Sequence, residues 1–148
     1  MKKAHARALC SLALIAISPL AALSWWRIIP LDEAVRDSDL IIVGTLRGVS
    51  EEAKGETDYG AGELTVDEVL RGNAEAGQRL ALVWENDSAV ICPRIDHQED
   101  QGKQVIWLLK RAPGGRVTAN NPGRYIAIKN KEDVITLIRQ QAKSKKGE

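Results

Sequence analysis

The chain has no phenylalanine, only two cysteines and two histidines, and almost no charge imbalance, with 21 basic residues against 20 acidic ones in 148. Each shortage excludes something. Cys10 and Cys92 are too few for a disulfide framework, so a domain of this size must be held by its core. His5 and Cys10 belong to the N-terminal segment that reads as a signal, so Cys92 and His97 supply at most two good ligands where a closed zinc site wants four, commonly in two close pairs. The balanced charge gives no electrostatic footprint for nucleic acid, where a basic domain is expected. Gly114-Gly115 lacks the spacing of a phosphate loop. No internal repeat and no long linker is present, and the length suits one domain.

Long apolar runs are also scarce, with one exception at the start. Residues 8–23 (ALCSLALIAISPLAAL) are uncharged and mostly apolar, and they follow the basic stretch Met1 to Arg7. Basic start, apolar run and small residues are the order of a secretory signal. We therefore expect residues 1–24 to be a signal peptide cut after Ser24, and the mature chain to be periplasmic or secreted. The alternative is a retained anchor facing the outside of the cell, with Trp25 and Trp26 at the membrane interface. Only in that case is a membrane contact expected. Loss of Lys2, Lys3 and Arg7 leaves 18 basic against 20 acidic residues.

What remains reads as strands and turns. Leu31 to Asp37 has the pattern of a short helix, with Asp32 and Glu33 early. Leu40 to Val49 is β-branched and apolar on both faces at its start, and Gly44 within it marks a bulge or bend. Residues 50–62 (SEEAKGETDYGAG) read as an acidic, glycine-rich loop. Strands are expected over 63–70, with a register break at Asp67-Glu68, then over 79–84, 105–109, 116–119 and 125–128, with a short piece at 89–92. Val134, Ile135, Leu137 and Ile138 recur at helical spacing after Asn130, which can cap the helix. The fold expected is mainly β: a small five-stranded OB-like barrel with a short N-terminal helix and a C-terminal amphipathic helix. Residues 25–138 would form this domain and 139–148 a basic tail.

Three stretches carry a family resemblance: Asp39-Leu40-Ile41-Ile42-Val43-Gly44-Thr45, Val66-Asp67-Glu68-Val69-Leu70-Arg71-Gly72, and Gly102 followed by Val105 to Leu109. Over residues 32–128 this layout resembles exported bacterial OB-fold domains related to netrin-like and tissue-inhibitor-of-metalloproteinase modules. The resemblance implies an architecture. The inhibitor modules grip a catalytic zinc through an N-terminal cysteine, and this chain has none near Trp25, so that mechanism is not implied.

The candidate site residues lie between Trp84 and Trp107: Cys92, Arg94, Asp96 and His97 with the two tryptophans themselves. One reading makes Cys92 a nucleophile and His97 its base, oriented by Asp96 or Glu99. The other ends a strand at a buried Cys92 and solvates the loop after it. Trp84 and Trp107 are expected in the core, the alternative being a stacking platform on the barrel face. The function expected is a non-enzymatic binding module for a protein or a glycan, monomeric, needing no cofactor and binding no nucleic acid, with contacts through 50–62 and 93–104. The alternative is a thiol- or metal-dependent enzyme centred on Cys92 and His97.

Overall fold

The computed structural model describes residues 29–87 and 95–144. Cys92, Arg94 and the short strand expected at 89–92 lie outside them, as do the signal segment and the two N-terminal tryptophans. The order is α1 (Leu31–Asp37), β1 (Leu40–Lys54), β2 (Thr57–Arg71), β3 (Arg79–Asp87), β4 (Gln104–Ala112), β5 (Arg116–Thr118), β6 (Tyr125–Ala127) and α2 (Lys131–Ser144). Five strands close into a ring. β1 pairs β2, β2 pairs β3, β3 pairs β5 in parallel, β5 pairs β4, and β4 returns to β1. β6 adds to the β5 side of β4 through Val105–Trp107. This is the expected mainly β, OB-like architecture.

The apolar run of β1 is continuous because two cores flank it. Leu40, Ile42 and Leu46 point into the ring, where they meet Leu64, Val66, Leu82, Trp84, Trp107 and Val117. Ile41 and Val43 point out and pack with Ile106 and Leu108 of β4 beneath Ala34, Val35 and Val134 of the helices. A strand covered on both faces loses the polar alternation that a half-exposed strand keeps. Each fully buried Leu, Ile or Val adds about 1.5–3 kcal/mol of hydrophobic stabilisation.

β1 and β2 coil by slipping register three times, between Ile41 and Ile42, Val43 and Gly44, and Arg47 and Ser50. The second slip meets both the glycine bend and the break at Asp67-Glu68, since Val43 faces Glu68 while Gly44 faces Val66. Gly44 is required there, because a Cβ would stand 2.7 Å from the Thr65 carbonyl oxygen.

One expectation needs correction. Residues 50–62 are not a loop: β1 continues to Lys54 and β2 starts at Thr57, with the chain reversing at Gly55 (φ +67°). Asn130 is the last residue of a 3₁₀ turn, Ile128–Asn130, that leads straight into α2. α2 then runs to Ser144, through much of the expected tail.

Side-chain hydrogen bonds tie the helices down. The Arg71 guanidinium donates to the carbonyls of Val35 and Ser38, where α1 ends, and to Gln141 Oε1 of α2 at 3.3 Å. Gln141 in turn donates to the Asp32 carbonyl at 2.9 Å. The buried Arg124 donates to Ser38 Oγ at 3.2 Å and to the Leu108 carbonyl at 3.4 Å. Burial lowers the pKa of both arginines, with Asp39 opposing that for Arg71, and Asp37 and Asp39 opposing it for Arg124.

Candidate functional site

Two places gather the chemistry-bearing side chains, one inside the ring and one on its outer face. Inside, the structure brings together three of the expected residues. The His97 ring is fully buried and meets three aromatic rings edge-on: Trp84 at 4.7 Å between centroids, Trp107 at 5.2 Å and Tyr125 at 5.0 Å. Trp107 Nε1 donates to the Gly44 carbonyl at 3.1 Å. Trp84 Nε1 and both His97 nitrogens have no hydrogen-bond partner among the described residues. Asp100 Oδ2 stands 3.8 Å from His97 Nδ1, beyond hydrogen-bonding reach.

The chain path explains how an imidazole comes to be packed like an apolar ring. Asn86, buried at the end of β3, both accepts from the Ile95 amide at 2.8 Å and donates to the Ile95 carbonyl at 2.9 Å. That clamp fixes the chain two residues before His97. Asp96 is exposed, and its carboxylate accepts from the Gln98 amide at 2.8 Å, folding the turn that follows. The Gly102 amide then donates to the Leu46 carbonyl at 3.0 Å and returns the chain towards β4. Burial lowers the His97 pKa, with the Asp100 and Asp96 carboxylates opposing, so the ring is held neutral. Burial raises the Tyr125 pKa, and the carboxylates of Asp100, Asp96 and Glu99 raise it further. A neutral imidazole wedged among three rings packs the core. It is not presented to a substrate. Among the described residues no group of three or more His, Cys, Asp or Glu side chains is placed to hold a metal ion.

The outer place follows from the strand register. Residues directly opposite one another in paired strands share a face. One row runs Ser50, Ala61, Val83, Thr118 across β1, β2, β3 and β5. The next runs Glu52, Tyr59, Glu85. Both rows face outward, since Gly60 and Trp84 between them, and Leu82 on the far side of Val83, are buried. The first row is short side chains and makes a shallow floor. The second sets an aromatic ring, 41% exposed, between two carboxylates. Pro113 and Arg116 of the β4–β5 turn, with Asn120 after β5, close the other side of a groove of about 640 Å³.

The groove is fixed from beneath and from its rim. A Cβ on Gly60 would come within 1.9 Å of the Trp84 indole, so only glycine lets that ring lie across β2. Asn120 Oδ1 accepts from the Glu85 amide at 3.2 Å and from Thr118 Oγ1 at 2.7 Å. It thereby caps β3 where β5 has stopped pairing with it. Arg116 Nε donates to the Pro113 carbonyl at 2.9 Å. Lys54 Nζ lies 3.0 Å from Glu52 Oε2 and 6.0 Å from the centroid of the Tyr59 ring.

Of the expected site residues, Trp84, His97 and Trp107 therefore come together in the core, and Asp96 is apart from them at the surface. Cys92 and Arg94 lie outside the described residues. Glu52 and Tyr59 fall within the stretch 50–62 expected to make contacts, but their row with Glu85 was not expected, because it forms only once 50–62 is read as two paired strands. The signal available was Glu52-x-Lys54 and Tyr59 at alternate positions around Gly55. No protein-family model matches the chain, and no curated protein sequence matches it.

Proposed function

We propose that the chain is an exported, non-enzymatic binding module whose ligand seat is the groove over Ser50, Ala61, Val83 and Tyr59. One observation carries the reading. The groove sits where the outer face of β2 and β3 meets the β1–β2 hairpin and the β4–β5 turn, which is the part of an OB-like ring that takes ligands. The rigid support under it fits that role, since seats built on strands hold their geometry better than seats on loops. The packing of His97 speaks against catalysis at that residue. Export is supported by the order of residues 1–24, basic then apolar then small.

The test is a two-dimensional amide NMR titration of the full chain with three probes: an arginine-bearing nonapeptide, a glutamate-bearing nonapeptide and cellohexaose. The result expected is that a probe which binds shifts the amides of residues 59–61 and 83–85. Binding that shifts residues 95–103 instead, or silence with all three probes, contradicts the reading.

A further inference from the structure

We propose that the groove takes an arginine or lysine side chain of a basic protein segment, seated on the Tyr59 ring between the Glu52 and Glu85 carboxylates. Lys54 is the occupant from within the chain that the incoming cation displaces. The inference rests on the groove being the binding seat and names what it binds.

The register supplies the receptor. Glu52, Tyr59 and Glu85 stand directly opposite one another on three paired strands, so the two carboxylates flank the ring on one face. The face of an aromatic ring attracts a cation, and a carboxylate beside it adds a charge-assisted hydrogen bond. The structure already shows a cation at this place. The Lys54 ammonium is over the Tyr59 ring and bound to Glu52, while its side chain remains 61% exposed. An exposed ion pair of this kind holds weakly and exchanges readily with a competitor. A guanidinium, planar and able to bond a carboxylate through two N–H groups while stacking on a ring, competes well.

Charge complementarity extends beyond the row. Residues 50–58 carry Glu51, Glu52, Glu56 and Asp58 against the single base Lys54, while Glu63 beyond them is paired with Arg79 at 3.5 Å. The hairpin arm therefore presents a local acidic field to an approaching segment, which favours encounter with a basic one. The row of Ser50, Ala61, Val83 and Thr118 beside the ring leaves room for the extended backbone that carries the cation. Arg116 on the far wall is bonded to the Pro113 carbonyl of its own turn.

The experiment is the affinity of the full chain for a fluorescent Gly/Ser nonapeptide with two arginines, read by anisotropy. Wild type is compared with Tyr59→Leu, with Glu52→Gln combined with Glu85→Gln, and with Lys54→Met. Tyr59→Leu and the double glutamine variant are expected to weaken binding by about fivefold or more. Lys54→Met removes the competitor and keeps the aliphatic stem, and it is expected to tighten binding by about threefold. Raising salt from about 50 to about 200 mM is expected to weaken binding in every case. Each variant's unfolding midpoint is measured first. Lys54→Met changes an exposed side chain, so its result stands even where another variant is destabilised. No measurable binding of the peptide by wild type, or a Lys54→Met variant that binds equally or more weakly, overturns the inference. Cellohexaose shifting the amides of 59–61 with no peptide bound would leave the groove as the seat and remove the cation.

Discussion

At the residue scale, His97 is the side chain whose environment most departs from its chemistry. Its two nitrogens lack partners among the described residues, and three aromatic rings surround it. An unpaired buried polar group costs about 1–3 kcal/mol, which the edge-on contacts, about 0.5–1.5 kcal/mol each, offset. Because burial lowers its pKa in the folded state, the unfolded chain takes up the proton first as pH falls. Its contribution is therefore complete above the unfolded value of about 6.5 and is lost below it, at up to about 1.4 kcal/mol per pH unit. Urea unfolding of wild type between about pH 7.5 and 5 is expected to show this fall, and His97→Leu is expected to flatten it. Equal slopes in the two proteins would contradict a neutral buried imidazole. The same residue shows what a sequence conceals. Histidine next to Asp96 reads as a solvated or catalytic group, and nothing local announces the Asn86–Ile95 clamp that turns it inward.

At the scale of elements, the β1–β2 hairpin arm decides where the groove lies. Gly60 is its keystone, since the Trp84 ring occupies the space of its missing side chain. Gly60→Ala is expected to destabilise the chain by about 2–3 kcal/mol, as overpacking does, and to loosen the arm first. Hydrogen exchange is the check: amides of 57–62 and 83–86 should lose more protection than those of β4. Uniform loss, or none, would contradict a rigid seat. Legibility in the sequence divided along the same line. β1 and β4 were legible because their β-branched runs are buried on both faces, and Gly44 and Asp67-Glu68 marked the slip in register. α1 and α2 were legible from spacing and early acids. The arm was not, because Glu51 to Gly62 has the composition of a loop. Its strand character comes from cross-strand partners, Tyr59 with Glu85 and Gly60 with Trp84, that lie some 25 residues away in sequence. Hence Trp84 and Trp107 were foreseen as core residues, whereas the burial of His97 between them was not. The outer row was foreseen only as the contact stretch 50–62, read as a loop, without Glu85 and without its strand register.

At the scale of the whole molecule, one sheet serves two cores and one open face. The β1–β4 side of the ring is closed by α1 and α2 over Ile41, Val43, Ile106 and Leu108. Among the described residues the β2–β3 side carries no helix, and it holds the groove. This asymmetry leaves a single large exposed aromatic side chain among the described residues, Tyr59, at the place where carboxylates and a lysine converge. The described helices thus cover one face, and the groove lies on the other. The most direct test of that division is site-specific photo-crosslinking in the cells that make the protein, with the photoreactive residue placed at Ala61 in the groove floor or at Gln140 on α2. The account predicts a discrete adduct from Ala61 and none from Gln140. Adducts from Gln140 alone, or from neither position, would contradict a binding seat on the outer face of β2 and β3.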